Sequence, residues 1–274
     1  MISRKVMGFL TAVVALLLSQ CAPQPAARSN SAPQQVELTV FAAGSLTEAF
    51  TELGTLFETQ HPGVKVTFNF ANSSTLLQQI SQGAPADVFA SAAASFVDKA
   101  VAQGLIAPDH VRIFARNRLV VILPKDNPAN VQSLSQLTQP GLKLVLGAKE
   151  GPMGTYVEEF LNKASASQAF PPDFKEKVYA NVVSYESTVK GVVNKVALKE
   201  ADAGIVFLTD AQSAADKLQI LAIPDNLNVA AVYPIAPLKA SPNLAMAEKF
   251  VQFVLSEEGQ TVLARYGFLP PNDD

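Results

Sequence analysis

The sequence predicts an α/β protein of two lobes, each a mainly parallel sheet flanked by helices. Short apolar strands alternate with amphipathic helical stretches from about residue 36 onward, the pattern of strand–helix–strand units. One run, Leu119-Val120-Val121-Ile122-Leu123, is apolar at every position, as expected of a strand covered on both faces. The folded part, residues 36–274, is also long enough for two lobes.

The first residues read as processing signals. Arg4 and Lys5 precede an uncharged, mostly apolar run from Val6 to Leu18, too short to span a membrane and the right size for the apolar part of a secretory leader. Residues 1–20 are therefore read as a signal peptide of the lipoprotein type. Leu18-Ser19-Gln20-Cys21 looks like a lipobox that would make Cys21 the lipidated first residue, although Gln20 stands where a small residue is usual. An ordinary cleaved leader with an incidental cysteine is the alternative. Residues 21–35, rich in Pro, Gln, Ala, Ser and Asn, read as a flexible tether.

The first folded stretch, Phe41-Ala42-Ala43-Gly44-Ser45-Leu46-Thr47-Glu48, runs from a short strand through a small-residue turn into a helix. Ser45 and Glu48 have capping-box spacing, and Leu46, Ala49, Phe50, Leu53 and Phe57 form the apolar stripe that follows. His61-Pro62-Gly63 stops that helix. Val64, Val66, Phe68 and Phe70 alternate with polar residues as a half-buried strand, then Asn72-Ser73-Ser74-Thr75 opens a second helix that ends near Gly83. Ala86 to Ala90 is a third strand and Phe96 to Gly104 a third helix.

A second series follows Pro124. Leu142 to Leu146 reads as a strand, residues 147–154 as a loop, and Tyr156, Val157, Phe160 and Leu161 as one helix face. Tyr179 to Ser184 reads as a strand, Glu186 to Lys199 as a helix, and Ala203 to Leu208 and Leu218 to Ile223 as strands. The chain would cross between lobes near 115–118 and 229–233, giving lobe 1 as 36–116 with 231–274 and lobe 2 as 117–230. Phe250, Val251 and Val254 mark a closing helix, and Ser256 can cap a last short one.

Composition narrows the function. Charged residues make up 16% of the chain and the formal net charge is −3, so neither a nucleic-acid groove nor a polybasic membrane patch is supported. A single cysteine forms no internal disulfide. The two histidines, His61 and His110, sit near no recognisable nucleophile, and the sequence has no Gly-x-Ser-x-Gly elbow, phosphate-binding Walker loop or Gly-x-Gly-x-x-Gly turn. Ser45 and Ser73, by contrast, each follow the C-terminal end of a strand, the edge where α/β sheets place ligands. If two such edges faced one another, hydroxyls and helix N–H groups would enclose a small anion without a full positive charge. Each serine taken alone is adequately explained as a cap.

Four separated segments bear a family resemblance. Phe41-Ala42-Ala43-Gly44-Ser45-Leu46-Thr47, Asn69 to Leu76, Gly83 to Ala92 and Ala203 to Ala211 stand in the order and spacing of periplasmic molybdate-binding proteins, and Arg265-Tyr266-Gly267-Phe268 agrees. The chain from about 36 to 270 resembles this family of type II solute receptors throughout. The resemblance implies a two-lobed type II binding-protein fold, no catalysis and no cofactor. It implies a monomeric receptor that takes molybdate or tungstate in its interlobe cleft and delivers it to an ABC permease. The oxyanion would be held by protein donors with no direct bond from protein to metal.

Residue by residue, Ser45 and Ser73 correspond to donors of the first lobe, and Met153 and Val189 to backbone N–H donors of the second. Phe207 departs from the pattern: family members commonly carry Tyr there, whose hydroxyl contacts the anion. Tyr156 or Thr209 would be the replacement donors. Two other functions remain open on sequence grounds, the same fold holding sulfate, phosphate or an organic anion, and an exported hydrolase using Ser45 or Ser73.

Overall fold

The computed structural model describes residues 35–272. The leader, Cys21 and all but the last residue of the tether lie outside them. Within the described residues the strands form two five-stranded sheets. The first is entered by β1 (Val36–Ala43), which leads through a single 3₁₀ turn to α1 (Thr47–Gln60); β2 (Val64–Ala71), α2 (Ser73–Ser81), β3 (Val88–Ala90), α3 (Ala94–Ala102) and β4 (Arg112–Asn117) follow. Arg118 alone separates β4 from β5 (Leu119–Pro124), which belongs to the second sheet. There β6 (Leu144–Gly147), α4 (Pro152–Ala166), α5 (Phe174–Ala180), β7 (Val182–Glu186), α6 (Val189–Ala197), β8 (Ala203–Phe207), α7 (Leu208–Gln212) and β9 (Leu218–Ala222) complete it. The chain returns as β10 (Ala231–Pro237) to the first sheet and ends with α8 (Leu244–Leu255) and α9 (Glu257–Arg265).

Strand order is β2-β1-β3-β10-β4 in one sheet and β7-β6-β8-β5-β9 in the other. In both, a single strand runs against the rest, β10 in the first and β5 in the second. These are the two strands that arrive from the opposite sheet. The apolar run 119–124 is buried at every residue, with β8 on one side and β9 on the other. The fold is the two-lobed α/β arrangement with mainly parallel sheets.

Aromatic packing fastens α1 to its sheet. Phe50 meets Phe114 and Phe250 at ring-centroid distances of 5.5 and 6.2 Å, and Phe57 meets Phe250 at 5.2 Å. Gly54 permits this approach, because a Cβ there would lie 2.6 Å from the Phe68 ring. Phe68 and Phe70 themselves stay only half-buried, stacked on each other at 5.1 Å, because β2 is the sheet's edge.

Several local expectations are corrected. Tyr179 lies in α5, and the strand begins only at Val182: Phe174 and Val178 are buried one helical turn apart, and Tyr179 donates to Glu158 on α4. Glu186 ends β7 instead of starting a helix, since its carbonyl accepts from Ala148 N–H at 2.8 Å; the cap of α6 is Thr188, whose hydroxyl accepts from Gly191 N–H. Leu208 opens α7. Residues 112–117 form β4 and residues 231–237 form β10, where the sequence pattern marks only the crossings. A bulge between Tyr233 and Pro234 lets β10 hold a proline between two paired strands. Ser256 does cap α9, accepting from Gly259 N–H at 3.2 Å.

Candidate functional site

The C-terminal ends of β1, β2 and β3 face those of β6, β7 and β8 across a cavity of about 30 Å³. Ser45, Ser73, Met153, Val189 and Phe207 all line it. The sequence placed these residues in five separate segments; the strand ends bring them together.

Neither serine does the local work expected of it. A 3₁₀ turn, Gly44–Leu46, precedes α1 and carries no side-chain cap, so the Ser45–Glu48 capping box is not formed. Glu48 instead pairs with Lys190 of α6, at 2.6 Å across the cleft. The Ser45 hydroxyl lies 3.0 Å from the Tyr233 hydroxyl. At the second helix start the cap is Asn72, which accepts from Ser74 N–H, and the fully buried Ser73 hydroxyl accepts from Ala92 N–H at 3.1 Å. Both hydroxyls are thus held by tertiary contacts at the cavity wall.

The electrostatics are those of dipoles. Four helical starts reach the cavity: the turn leading into α1, and the first residues of α2, α4 and α6. The first N–H groups of a helix have no intrahelical acceptor and carry its positive end. At α4 the first residue is Pro152, which has no N–H, so Met153 offers the first one. At α6 the Thr188 cap takes Gly191 N–H, and the Val189 N–H stands one residue past the cap. Among the described residues no Lys or Arg lines the cavity, and the only charged side chain there is Glu186. Its carboxylate is bound by Lys195 at 2.6 Å and by the Ser184 hydroxyl, which hold it below the usual carboxylate range. Neutral donors of this kind, hydroxyls and helix N–H groups, are the type that suits a small anion. Nor do the described residues contain a group of three or more His, Cys, Asp or Glu able to hold a metal ion.

The far wall differs from expectation. Phe207 is buried and presents carbon to the cavity, wedged edge-on between Tyr156 at 6.0 Å and Tyr233 at 5.8 Å. Neither expected replacement donor reaches it. The Tyr156 hydroxyl accepts from Val232 N–H at 3.1 Å, and the Thr209 hydroxyl accepts from the Asn117 amide at 2.9 Å.

The chain matches the bacterial extracellular solute-binding proteins over residues 38–269. It belongs to that family. Within the family it is 36% identical to the molybdate-binding protein ModA of Mycobacterium tuberculosis, over 96% of this chain and 97% of that one. It is 31% identical to the putative ABC transporter substrate-binding lipoprotein YvgL of Bacillus subtilis, over 95% and 96% of the two chains. Among solved structures, the substrate-binding domain of a putative molybdenum ABC transporter from Clostridium difficile aligns with a TM-score of 0.65 and 31% identity. The alignment covers 86% of this chain and 99% of that one. These relatives are transport proteins, so the receptor reading stands and the hydrolase does not.

This solute-binding protein also carries site features that the sequence reading missed. Asn72 donates to the Ser187 carbonyl at 3.3 Å, joining the two halves of the cleft; an Asn before Ser-Ser-Thr is a cap signal that was available. Tyr233, Asn117 and Asp210 have no local signal at all. They matter because of what folds against them.

Proposed function

We propose that this protein captures molybdate or tungstate between its lobes and delivers it to an ABC permease. The observation that carries the reading is the cavity itself: two serine hydroxyls and four helical starts converge with no cation, a donor set suited to a small, fully deprotonated oxyanion. The molybdate-binding relatives support it. Ser45 and Ser73 donate from one side, Met153 and Val189 N–H from the other, and Phe207 closes the wall. Lobe 1 (36–116 with 231–274) and lobe 2 (117–230) move as bodies about the two crossings, and the ligand favours the closed state by the contacts it makes only there. Outside the described residues, we assign 1–20 to a leader, 21–35 to a tether and Cys21 to lipid attachment. Loss of membrane association in a Cys21→Ser variant checks that assignment.

Calorimetry with molybdate, tungstate, sulfate and phosphate tests the ligand. Submillimolar binding of the first two is expected; binding of sulfate or phosphate in their place overturns the assignment. Ser73→Ala removes one hydroxyl and leaves Ala92 N–H unpaired. Hydrogen bonds to charged groups are worth roughly 1.5–3 kcal/mol, so molybdate affinity should fall by about 10- to 100-fold. An unchanged titration would remove Ser73 from the site.

A further inference from the structure

The hydrogen bonds behind Ser45 have a direction. The Asn117 Oδ1 accepts from Arg118 N–H at 2.9 Å, and because a backbone N–H only donates, this sets which end of the amide is which. The Nδ2 end therefore faces Thr209 Oγ1 at 2.9 Å and the Tyr233 hydroxyl at 3.4 Å, and it donates to both. Either oxygen of the 3.0 Å Ser45–Tyr233 contact can donate, but among the described residues Ser45 Oγ is the acceptor within reach of the buried Tyr233 proton. Donation from Tyr233 is therefore the direction that leaves no buried proton unpaired. Ser45 then accepts from Tyr233, and its own proton is left for the cavity it lines. Ser73 shows the same arrangement by a different means: its oxygen receives Ala92 N–H, which cannot reverse.

We propose that Tyr233, fed by Asn117, is a positioning residue that fixes the Ser45 hydroxyl as a donor toward the bound anion. This rests on the oxyanion-capture reading and deepens it. Three features place Tyr233 for the task. The bulge of β10 falls directly after it, where a strand re-aims its side chains. Its ring is fully buried against Phe114, Phe207 and Phe268, at 6.2, 5.8 and 5.4 Å, which keeps the hydroxyl in place. Burial also pushes its pKa well above the ordinary phenol range, so its proton stays on. The chain Asn117–Tyr233–Ser45 polarises along its length, since each group that accepts becomes a better donor. Phe207 makes the relay more consequential, because the wall beside it contributes no hydroxyl.

A double-mutant cycle separates positioning from general support. Tyr233→Phe keeps the ring and frees the Ser45 hydroxyl to rotate, and molybdate affinity should fall by about 5- to 10-fold. In a Ser45→Ala background the same change should have no further effect, because no hydroxyl is left to orient. Tyr233→Phe binding as tightly as wild type, or losing as much again in the Ser45→Ala background, overturns the proposal. The corresponding cycle on unfolding free energy without anion should show the two side chains coupled; additivity there also overturns it. Failure of the wild-type protein to bind any of the four oxyanions would sink the capture reading and this role with it. Wild-type binding with an additive cycle would sink this role alone.

Discussion

Replacing Gly151 with alanine is expected to lower molybdate affinity by about 5- to 150-fold while leaving the unliganded protein as stable as wild type. Gly151 is the residue before α4, with a φ of −96° that any amino acid adopts, so the backbone itself accepts the change. The obstacle lies across the cleft. A Cβ at this position would sit 2.2 Å from Asn72 Nδ2 and 2.9 Å from its Cγ. Asn72 has little freedom to withdraw: Oδ1 caps α2 through Ser74 N–H at 3.1 Å, and Nδ2 holds the Ser187 carbonyl at 3.3 Å. Relieving an overpacked contact costs roughly 1–3 kcal/mol, and the clash exists only when the two halves of the cleft meet. With the closing motion proposed above, the cost falls on the closed, ligand-bound state. Calorimetry should show weaker binding with an unchanged melting temperature in the absence of ligand, and adding Asn72→Ala should restore part of the affinity. Wild-type affinity in the single variant would mean that this contact does not form on closure.

The second large effect is a pH dependence set by Asp210. This carboxyl is buried on α7, and among the described residues its Oδ2 is a buried side-chain atom with no hydrogen-bond partner. Loss of hydration, with a smaller push from Glu48 of α1, raises its pKa to about 7; Lys190 of α6 acts in the opposite sense. The remaining group that feels it is Tyr233 of β10, which stays protonated. The sign follows from linkage. A carboxyl whose folded pKa is raised binds its proton more tightly in the folded state, so its contribution to stability is fully present below the ordinary value of 3.8. It is lost as pH rises towards about 7. The window is therefore about pH 4 to 7, and the effect is on the order of 4 kcal/mol. Glu158 and Glu186, held below the usual range by Lys175 and Lys195, act in reverse and are lost only in acid. Both are partly exposed, and their effect is correspondingly small. Asp210→Asn, neutral at every pH, should gain stability relative to wild type as pH rises from 4 to 7.5, read by denaturant unfolding at each pH. A difference that does not change with pH would show that Asp210 is not buried as a charged group at neutral pH.

The salt bridge between Lys190 and Glu48 contributes little. It spans the cleft, yet both side chains are nearly half exposed, at 46% and 44%, and such pairs contribute well under about 1 kcal/mol. Closure is better guarded by Gly151 and Asn72, where atoms meet, than by that pair.

Much of the fold was legible because it is written locally. Apolar runs of strand length, helical stripes and Ser256 before Glu257 each depend on residues within a turn of one another. Two of the five cavity residues were legible for a related reason. Ser45 and Ser73 stand at strand ends followed by helix starts that the local pattern already marks. Met153, Val189 and Phe207 were legible only through the family resemblance, the local pattern placing Met153 in a loop and Val189 inside a helix that began at Glu186. What failed was also local reasoning, applied where a distant partner decides. Tyr179 has the β-propensity of an aromatic, but Glu158 and the buried turn of α5 hold it in a helix. Ser45 and Glu48 have the spacing of a capping box, but Tyr233 takes the one and Lys190 the other.

The sequence by itself, apart from the family resemblance that supplied the receptor role, determined an α/β protein with hydroxyl-bearing helix starts at its strand ends and no recognisable catalytic motif. These properties follow from periodicity and composition, which need no knowledge of which strand lies beside which. Only the tertiary structure decided which way each hydroxyl points. A serine's proton is directed by whatever group donates to its oxygen, and for Ser45 that group is 188 residues away in the chain. Hydrogen-bond direction is a property of contacts across the sheet, and no spacing along the chain encodes it.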